Sequence, residues 1–116
     1  MTVRYTPEAI ADLREMKDYI SRTLRTPSAA KRLTSNILDA CSLLKDFPQS
    51  GTPLETLTGL PGRIRYIISE NRRIFYRTEG AYIMIIRILD GGTDYLRLLM
   101  KEKQMIPSST QGAQSI

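Results

Sequence analysis

The feature that most constrains the fold is a change in the spacing of apolar residues near the middle of the chain. Before residue 47, apolar side chains recur every three or four positions, which is typical of a helix with one buried side. After residue 62 they alternate with other side chains, which is typical of strands. The sequence therefore predicts helices in the first half and a sheet in the second, which is the α+β class.

Two helices are predicted, and each begins with the same pair of residue types. Thr6-Pro7 and Thr26-Pro27 combine a side chain that caps helices with a proline suited to the first helical position. The helices are expected to end near Arg25 and Phe47, and to pack as an antiparallel αα-hairpin. Their apolar stripes are interpreted as packing faces and comprise Ile10, Leu13, Met16, Ile20, Leu24, Leu33, Ile37, Cys41 and Leu44.

A short strand, Thr2–Tyr5, is expected before the helices, and a loop rich in proline and glycine, 47–62, after them. Alternation then predicts a twisted antiparallel sheet whose strands, joined by tight turns, are Arg63–Ile68, Arg72–Thr78 and Ala81–Leu89. The segment Asp94–Met100 fits either a closing strand or a short helical turn. We therefore expect a sheet of three to four strands, with the αα-hairpin on one face and the other face free.

Length and composition exclude several classes of function. A chain of 116 residues suits a single domain, expected over residues 1–100, with a flexible tail at 101–116. Histidine is absent, which excludes His-dependent catalysis and leaves too few ligands for zinc, so no metal or other cofactor is expected. The one cysteine, Cys41, is interpreted as a buried apolar residue rather than a nucleophile. Without a disulfide, a secretion signal or a membrane-spanning run, the protein is expected to be cytoplasmic, with no membrane partner.

An excess of arginine in the second half of the chain indicates an anionic partner. The net charge is +5, of which residues 59–116 contribute +4 from nine basic and five acidic side chains. Alternation turns Tyr66 and Tyr76 toward the core and places four arginines on the face opposite the helices, namely Arg63, Arg65, Arg73 and Arg77. Arg87 shares its side of the third strand with apolar residues. Arginine suits paired contacts with phosphate, so an anion-binding face is predicted, with an ordinary solvated face as the alternative.

Together these residues resemble the RelE/ParE superfamily, the bacterial toxins of type II toxin–antitoxin systems, over residues 2–100. The resemblance rests on the helical hairpin and on four segments in order, which are FPQSG (47–51), RIRY (63–66), RRIFYR (72–77) and RILDGGTDYLRLL (87–99). It implies a RelE/ParE-like fold and a toxin that arrests growth, as in plasmid stabilisation. It also implies a cognate antitoxin that wraps the toxin.

The resemblance implies two targets, because ribonuclease members cut messenger RNA in the ribosome whereas ParE members poison DNA gyrase. For RNA cleavage, it implies catalytic roles for Arg65 and Arg73 at the phosphate and for Tyr95 in proton transfer. RNA or other anions would then be held by the remaining arginines, which are Arg63, Arg77, Arg87 and Arg97. The long helices and the FPQSG segment are more similar to the ParE side.

The sequence departs from the ribonuclease pattern in its last loop. An arginine that is common there is replaced by Gly92 or Thr93, so one cation for the transition state is missing unless Arg87 or Arg97 replaces it. Arginine also keeps its proton at ordinary pH, so the Arg-x-Arg pair cannot transfer protons as lysine can. The constellation is therefore better suited to holding RNA than to cutting it.

Two of the implied catalytic residues have structural alternatives. Arg73 could form an ion pair with Glu70 or Glu79, and Tyr95 could serve only as a packing aromatic. Three functions consequently stay open from the sequence. The chain could be a ribosome-dependent mRNA endoribonuclease, a non-enzymatic inhibitor of DNA gyrase, or an inactive relative that only binds antitoxin.

Overall fold

The computed structural model describes residues 1–59, 62–92 and 94–101. The strands are β1 Thr2–Tyr5, β2 Thr52–Pro53, β3 Arg65–Ser69, β4 Arg72–Glu79 and β5 Tyr82–Asp90. The helices are α1 Pro7–Asp18, which continues as a π-helical turn at Tyr19–Thr23, then α2 Pro27–Leu43, α3 Glu55–Thr58 and α4 Tyr95–Lys101. Within the described residues, no helix has both the length and the apolar character needed to cross a membrane.

The strands form one sheet in the order β1-β5-β4-β3-β2. β1 runs parallel to β5, and the other neighbouring strands are antiparallel. The α+β class is confirmed, but the sheet has five strands rather than three to four. The additional strand is β2, which lies inside the segment 47–62 that we expected to be only a loop. α3 also lies in this segment, so the prediction of a plain loop is wrong.

Both helices of the hairpin begin where the Thr-Pro pairs predict. The Thr6 hydroxyl caps α1 by accepting the backbone N–H of Ala9 at 3.1 Å, and it donates to the carbonyl of Ile86 at 2.7 Å. Thr26 does not cap α2 in this way. Its hydroxyl instead donates to the carbonyl of Leu24 at 3.1 Å, which satisfies a backbone group left free in the turn between the helices.

The π-helical turn changes which side chains of the first helix are buried. In an α-helix each residue advances about 100°, so Leu24 would share the buried side of Ile20. Here the backbone N–H of Leu24 donates to the carbonyl of Tyr19, five residues back, and the wider turn rotates Leu24 toward solvent. Leu24 is 54% exposed and Ile10, at the margin of the apolar stripe, is 40% exposed. The prediction that both residues pack in the core is therefore wrong.

Apolar side chains cover both faces of the sheet. The face toward the αα-hairpin carries the larger cluster, whose fully buried members include Ile37, Cys41, Ile74, Tyr76, Ile83 and Ile85. The opposite face carries a second cluster formed by Ile64, Phe75, Ile86, Leu89 and Leu99, with Leu54, Tyr66, Met84, Tyr95 and Leu98 packed against it. The prediction of a free face is wrong, because β4 and β5 are apolar on both sides and α4 covers the second.

The turns and the C-terminal segment agree with the sequence pattern. Glu70 and Asn71 both have positive φ, which is typical of a two-residue hairpin turn and explains the Asn. The β4–β5 turn uses Gly80, at φ 57°. The two interpretations of Asp94–Met100 are settled in favour of a helix, α4. The predicted tail lies outside the described residues, apart from Lys101 at the end of α4.

Candidate functional site

The arginines of β3 and β4 lie on two faces of the sheet. Residues that are directly opposite on paired strands share a face. Arg65 is opposite Tyr76, which belongs to the cluster on the helix side, whereas Arg73 is opposite Leu89, in the second cluster. The prediction of one common arginine face is therefore wrong. It assumed that Tyr66 packs toward the helices, but Tyr66 packs in the second cluster.

Arg65 is bound to the loop that contains the FPQSG segment. Its Nη1 donates to the carbonyl of Gly51 at 2.7 Å and to that of Gln49 at 3.3 Å. Beside it, the buried hydroxyl of Tyr76 donates to the carbonyl of Pro48 at 2.9 Å and accepts the N–H of Gly51, also at 2.9 Å. Both side chains thus satisfy polar backbone groups of the loop and hold it against the sheet.

Close packing around residue 51 explains why the FPQSG segment ends in glycine. A Cβ at this position would lie 2.6 Å from the Tyr76 hydroxyl and 2.9 Å from the carbonyl of Tyr66. Neither neighbour can move easily, because the first is fully buried and the second is backbone. The packing of Tyr76 therefore explains the glycine of the FPQSG segment, which is one of the segments that carry the family resemblance.

Arg73 lies between two tyrosine rings on the second face. Its Cζ is 4.8 Å from the centroid of the Tyr95 ring and 5.4 Å from that of Tyr66, which are favourable distances for cation–π contacts. Tyr95 also contacts Phe75, with 5.3 Å between ring centroids. Arg73 Nε is buried and has no hydrogen-bond partner among the described residues. The structure thus brings together two of the three residues with implied catalytic roles.

The ion pairs considered for Arg73 are not present. Glu79 pairs with Arg77, and the Glu70 carboxylate accepts a hydrogen bond from the side chain of Asn36 at 3.0 Å. Arg73 instead makes aromatic contacts, which the sequence pattern does not predict. The contact between Arg73 and Tyr66 is not predicted, because the sequence pattern places Tyr66 on the wrong face of the sheet.

Two other candidate arginines pair with carboxylates. Arg87 Nε and Nη2 donate to the two oxygens of Asp12 on α1 at 2.8 and 2.9 Å. Arg97 is exposed and lies 3.4 Å from Asp94, one turn away on the chain. A carboxylate partner for Arg87 could not be found from the sequence, because the contact joins positions 75 apart.

Arg63 is exposed and is brought near Arg65 and Arg77 in an open groove of about 500 Å³ at the edge of the sheet. The groove forms where β4 extends past the first residue of β3, so this part of β4 has no neighbour on that side. Its lining also includes Glu55 of α3, which partly offsets the positive charge. Three of the arginines with a predicted anion-binding or phosphate role thus line one groove.

The titratable groups with altered pKa values are all packed in the core. Burial raises the pKa of Cys41 to about 11, and it raises the pKa of Tyr5 still further from its ordinary value. Burial also raises the pKa of Tyr76, although the hydrogen bond from Gly51 acts in the opposite direction. These groups stay protonated at neutral pH. Within residues 1–59, 62–92 and 94–101, no cluster of side chains could hold a metal ion.

Comparisons with known proteins agree with this fold. The family described as the ParE toxin of the type II toxin-antitoxin system, parDE, matches residues 3–95. Among solved structures, a chain of the chromosomal ParDE TA system from P. aeruginosa is 25% identical with a TM-score of 0.65, covering 78% of this chain and 95% of that one. No match was found among curated proteins. The expected RelE/ParE-like fold is confirmed, and the chain belongs to the ParE toxin family of type II toxin–antitoxin systems.

Proposed function

We propose that this chain is a toxin that arrests growth by binding and inhibiting DNA gyrase, without cleaving RNA. Its membership of the ParE family favours gyrase over the ribosome, since the resemblance associates ParE members with that target. The proposed setting is the cytoplasm, where gyrase and chromosome are found. The toxin domain is proposed to span residues 1–100, in agreement with the family match over residues 3–95.

The observation that carries this proposal is the separation of Arg65 from Arg73. Cleavage by a ribose 2′-hydroxyl needs cations and a proton-transfer group around a single phosphate. Arg65 lies on the helix side of the sheet with its Nη1 donating to two backbone carbonyls, while Arg73 and Tyr95 lie on the other face. The three residues with implied catalytic roles are thus not arranged around one phosphate.

A cognate antitoxin is the second proposed partner. The solved ParDE TA system is by its title a toxin–antitoxin pair, and a similar partner is inferred for this chain. The net charge of +5 favours an antitoxin segment that is acidic where it meets the toxin. The groove beside Arg63, Arg65 and Arg77 is a suitable place for such a carboxylate.

A ribosome-dependent endoribonuclease is the second candidate function, and one observation favours it. Arg73 has a buried Nε without a partner and lies beside Tyr95, which is the pairing that the ribonuclease resemblance implies. A bound phosphate could supply the missing acceptor. This candidate needs only the second face of the sheet, so it makes no use of Arg65.

The two functions are separated by testing both targets with the same protein. The full chain, made by cell-free synthesis, is added to gyrase with relaxed plasmid, and to a translating extract with primer extension on the message. We expect the protein to inhibit the supercoiling reaction of gyrase and to leave the message intact. Arg73→Met should give the same two results as wild type. Cuts within the translated region that disappear in Arg73→Met, with supercoiling unaffected, would overturn the proposal in favour of the ribonuclease.

A further inference from the structure

The turn between the two long helices exposes apolar and basic side chains together. We call Tyr19, Arg22, Leu24 and Arg25 the hairpin tip. Tyr19 and Leu24 are each 54% exposed, while their neighbour Ile20 is buried and anchors the turn. Arg22 and Arg25 are exposed, and within the described residues neither side chain takes part in an ion pair or hydrogen bond. Large apolar side chains next to free arginines are typical of protein interfaces.

The exposure of Leu24 is built into the backbone. The hydrogen bond from Leu24 N–H to the Tyr19 carbonyl places these two residues one π-helical turn apart, at 3.1 Å between N and O. Thr26 secures the turn through its N–H, which donates to the carbonyl of Ile20 at 3.1 Å. Arg25 has φ 54°, a left-handed conformation that is unusual for a residue other than glycine. Such π-turns and unusual backbone conformations occur often at functional sites.

The charge around the tip identifies the chemistry of a partner. Residues 14–32 contain six basic and two acidic side chains, a net charge of +4, and all eight are exposed. The continuous run 19–25, which contains the tip, has no acidic residue. A partner surface that complements this region is therefore acidic, with an apolar area that can cover Tyr19 and Leu24.

A protein surface fits these features better than the DNA backbone. Phosphate contacts need basic and polar groups but gain nothing from an exposed leucine. Tyrosine and arginine together are the residue types that dominate binding energy between proteins. From this geometry, and resting on the proposed function, we infer that the hairpin tip is the surface through which the toxin contacts an acidic, apolar area of its target protein.

Variants of the tip can be chosen that preserve the fold. Leu24→Gln removes an exposed apolar side chain, Arg22→Glu reverses an exposed charge, and Arg25→Gly removes a charge where glycine is favoured. Leu43→Gln and Lys45→Glu are the matched controls. Leu43 is 60% exposed, and it lies at the far end of α2, about 24 Å from the first residue of that helix at 1.5 Å per residue.

The measurement is inhibition of gyrase supercoiling, together with binding of the full chain to gyrase without DNA. We expect each tip variant to need about tenfold more protein for half inhibition, and the controls to stay within about twofold of wild type. Binding to gyrase should fall in parallel and should weaken as ionic strength rises. Circular dichroism at each concentration checks that the variants remain folded.

Three outcomes would overturn the inference. Tip variants that inhibit gyrase as well as wild type would show that the contact lies elsewhere. Wild-type binding to a DNA duplex alone, lost in the tip variants, would assign the tip to nucleic acid. Loss of self-association in the variants would assign it to a second copy of the chain. If wild type does not inhibit gyrase at all, it is the proposed function that fails, and with it the target assigned here.

Discussion

Asp12 on α1 and Arg87 on β5 form an ion pair through two contacts, at 2.8 and 2.9 Å, although 75 positions separate them in the sequence. The Asp12 carboxylate also accepts the N–H of Ile88 at 2.9 Å. The two side chains are only 9% and 15% exposed, so water provides little compensation if one is removed. The pair therefore fixes the first helix to β5, at a position beyond the residues that pair with β1.

Removal of Asp12 is predicted to destabilise the protein strongly. Asp12→Ala leaves the Arg87 guanidinium largely buried without its carboxylate, and we expect a loss of about 3 kcal/mol in the free energy of unfolding. Urea denaturation followed by circular dichroism measures this value. Asp94→Ala is the control, because its pair with Arg97 is exposed and should change stability by less than about 1 kcal/mol. Equal losses for the two variants would contradict the structural role of Asp12.

Gly51→Ala is predicted to destabilise the loop that holds Arg65. The added Cβ would lie 2.6 Å from the Tyr76 hydroxyl, and we expect a loss of about 2 kcal/mol from overpacking. Gly91→Ala is the matched control, since its Cβ would meet only one atom, at 3.7 Å. Thermal unfolding of both variants tests the difference. A Gly51→Ala protein as stable as wild type would mean that the loop does not pack on Tyr76 as described.

Replacement of Arg73 is predicted to affect stability little and gyrase inhibition not at all. Arg73→Met loses cation–π contacts with Tyr66 and Tyr95, but it also removes a buried N–H without a partner, so we expect a change within about 1 kcal/mol. Tyr95→Phe keeps the ring and removes the hydroxyl. Supercoiling assays on both variants should match wild type. A strong loss of toxicity in both, with the fold intact, would instead indicate that these side chains act at a phosphate.

Stability is predicted to decrease at alkaline pH because of Cys41. Burial raises the pKa of this thiol from its ordinary 9.0 to about 11, so the unfolded chain loses the proton first as pH rises. The contribution of the protonated Cys41 thiol to the free energy of unfolding is complete below pH 9.0. It is lost as the pH rises from 9.0 to about 11. Denaturant titrations across this range should show the decrease, and Cys41→Ala should make it smaller. The partly buried Tyr5 acts in the same direction, so a residual slope is expected in the variant.

The same burial predicts slow labelling of Cys41. The thiol is fully buried and only the thiolate reacts, so a thiol reagent at pH 8 should modify the native protein far more slowly than the protein in denaturant. Rapid labelling of the native protein would show that the αα-hairpin opens easily. The comparison needs no other variant, since Cys41 is the one cysteine in the chain.

Local signals predicted most of the fold. Thr6 and Pro7 predict the exact residue at which α1 begins, and Asn71 predicts the β3–β4 turn. Both signals are local, because helix capping and a left-handed backbone conformation depend on residues that are close in sequence. The segment of α4 is too short for periodicity to separate a strand from a helix, so its sequence is consistent with both.

The faces of the strands were harder to predict. β3 is apolar at both Ile67 and Ile68, and an error of one residue reverses every side chain. Only pairing with β4 shows that Ile67 packs toward the helices, whereas Ile68 is 63% exposed. For this reason the sequence wrongly predicts that Arg65 and Arg73 lie on the same face of the sheet. The shift of register by which Phe75 pairs with Arg87 but Tyr76 with Ile85 is likewise not indicated by any local pattern.

The parallel pairing of β1 with β5 has a consequence for synthesis of the toxin. Thr2–Tyr5 is made long before Tyr82–Ile85, with which it pairs, so this edge of the sheet cannot close until β5 has been translated. The αα-hairpin and the β3–β4 hairpin depend on nearby residues and can form earlier. A nascent chain that terminates before β5 lacks both the partner of its first strand and the anchor of Asp12. Interrupted translation should therefore yield fragments that proteases remove, and complete synthesis becomes a condition for a folded toxin.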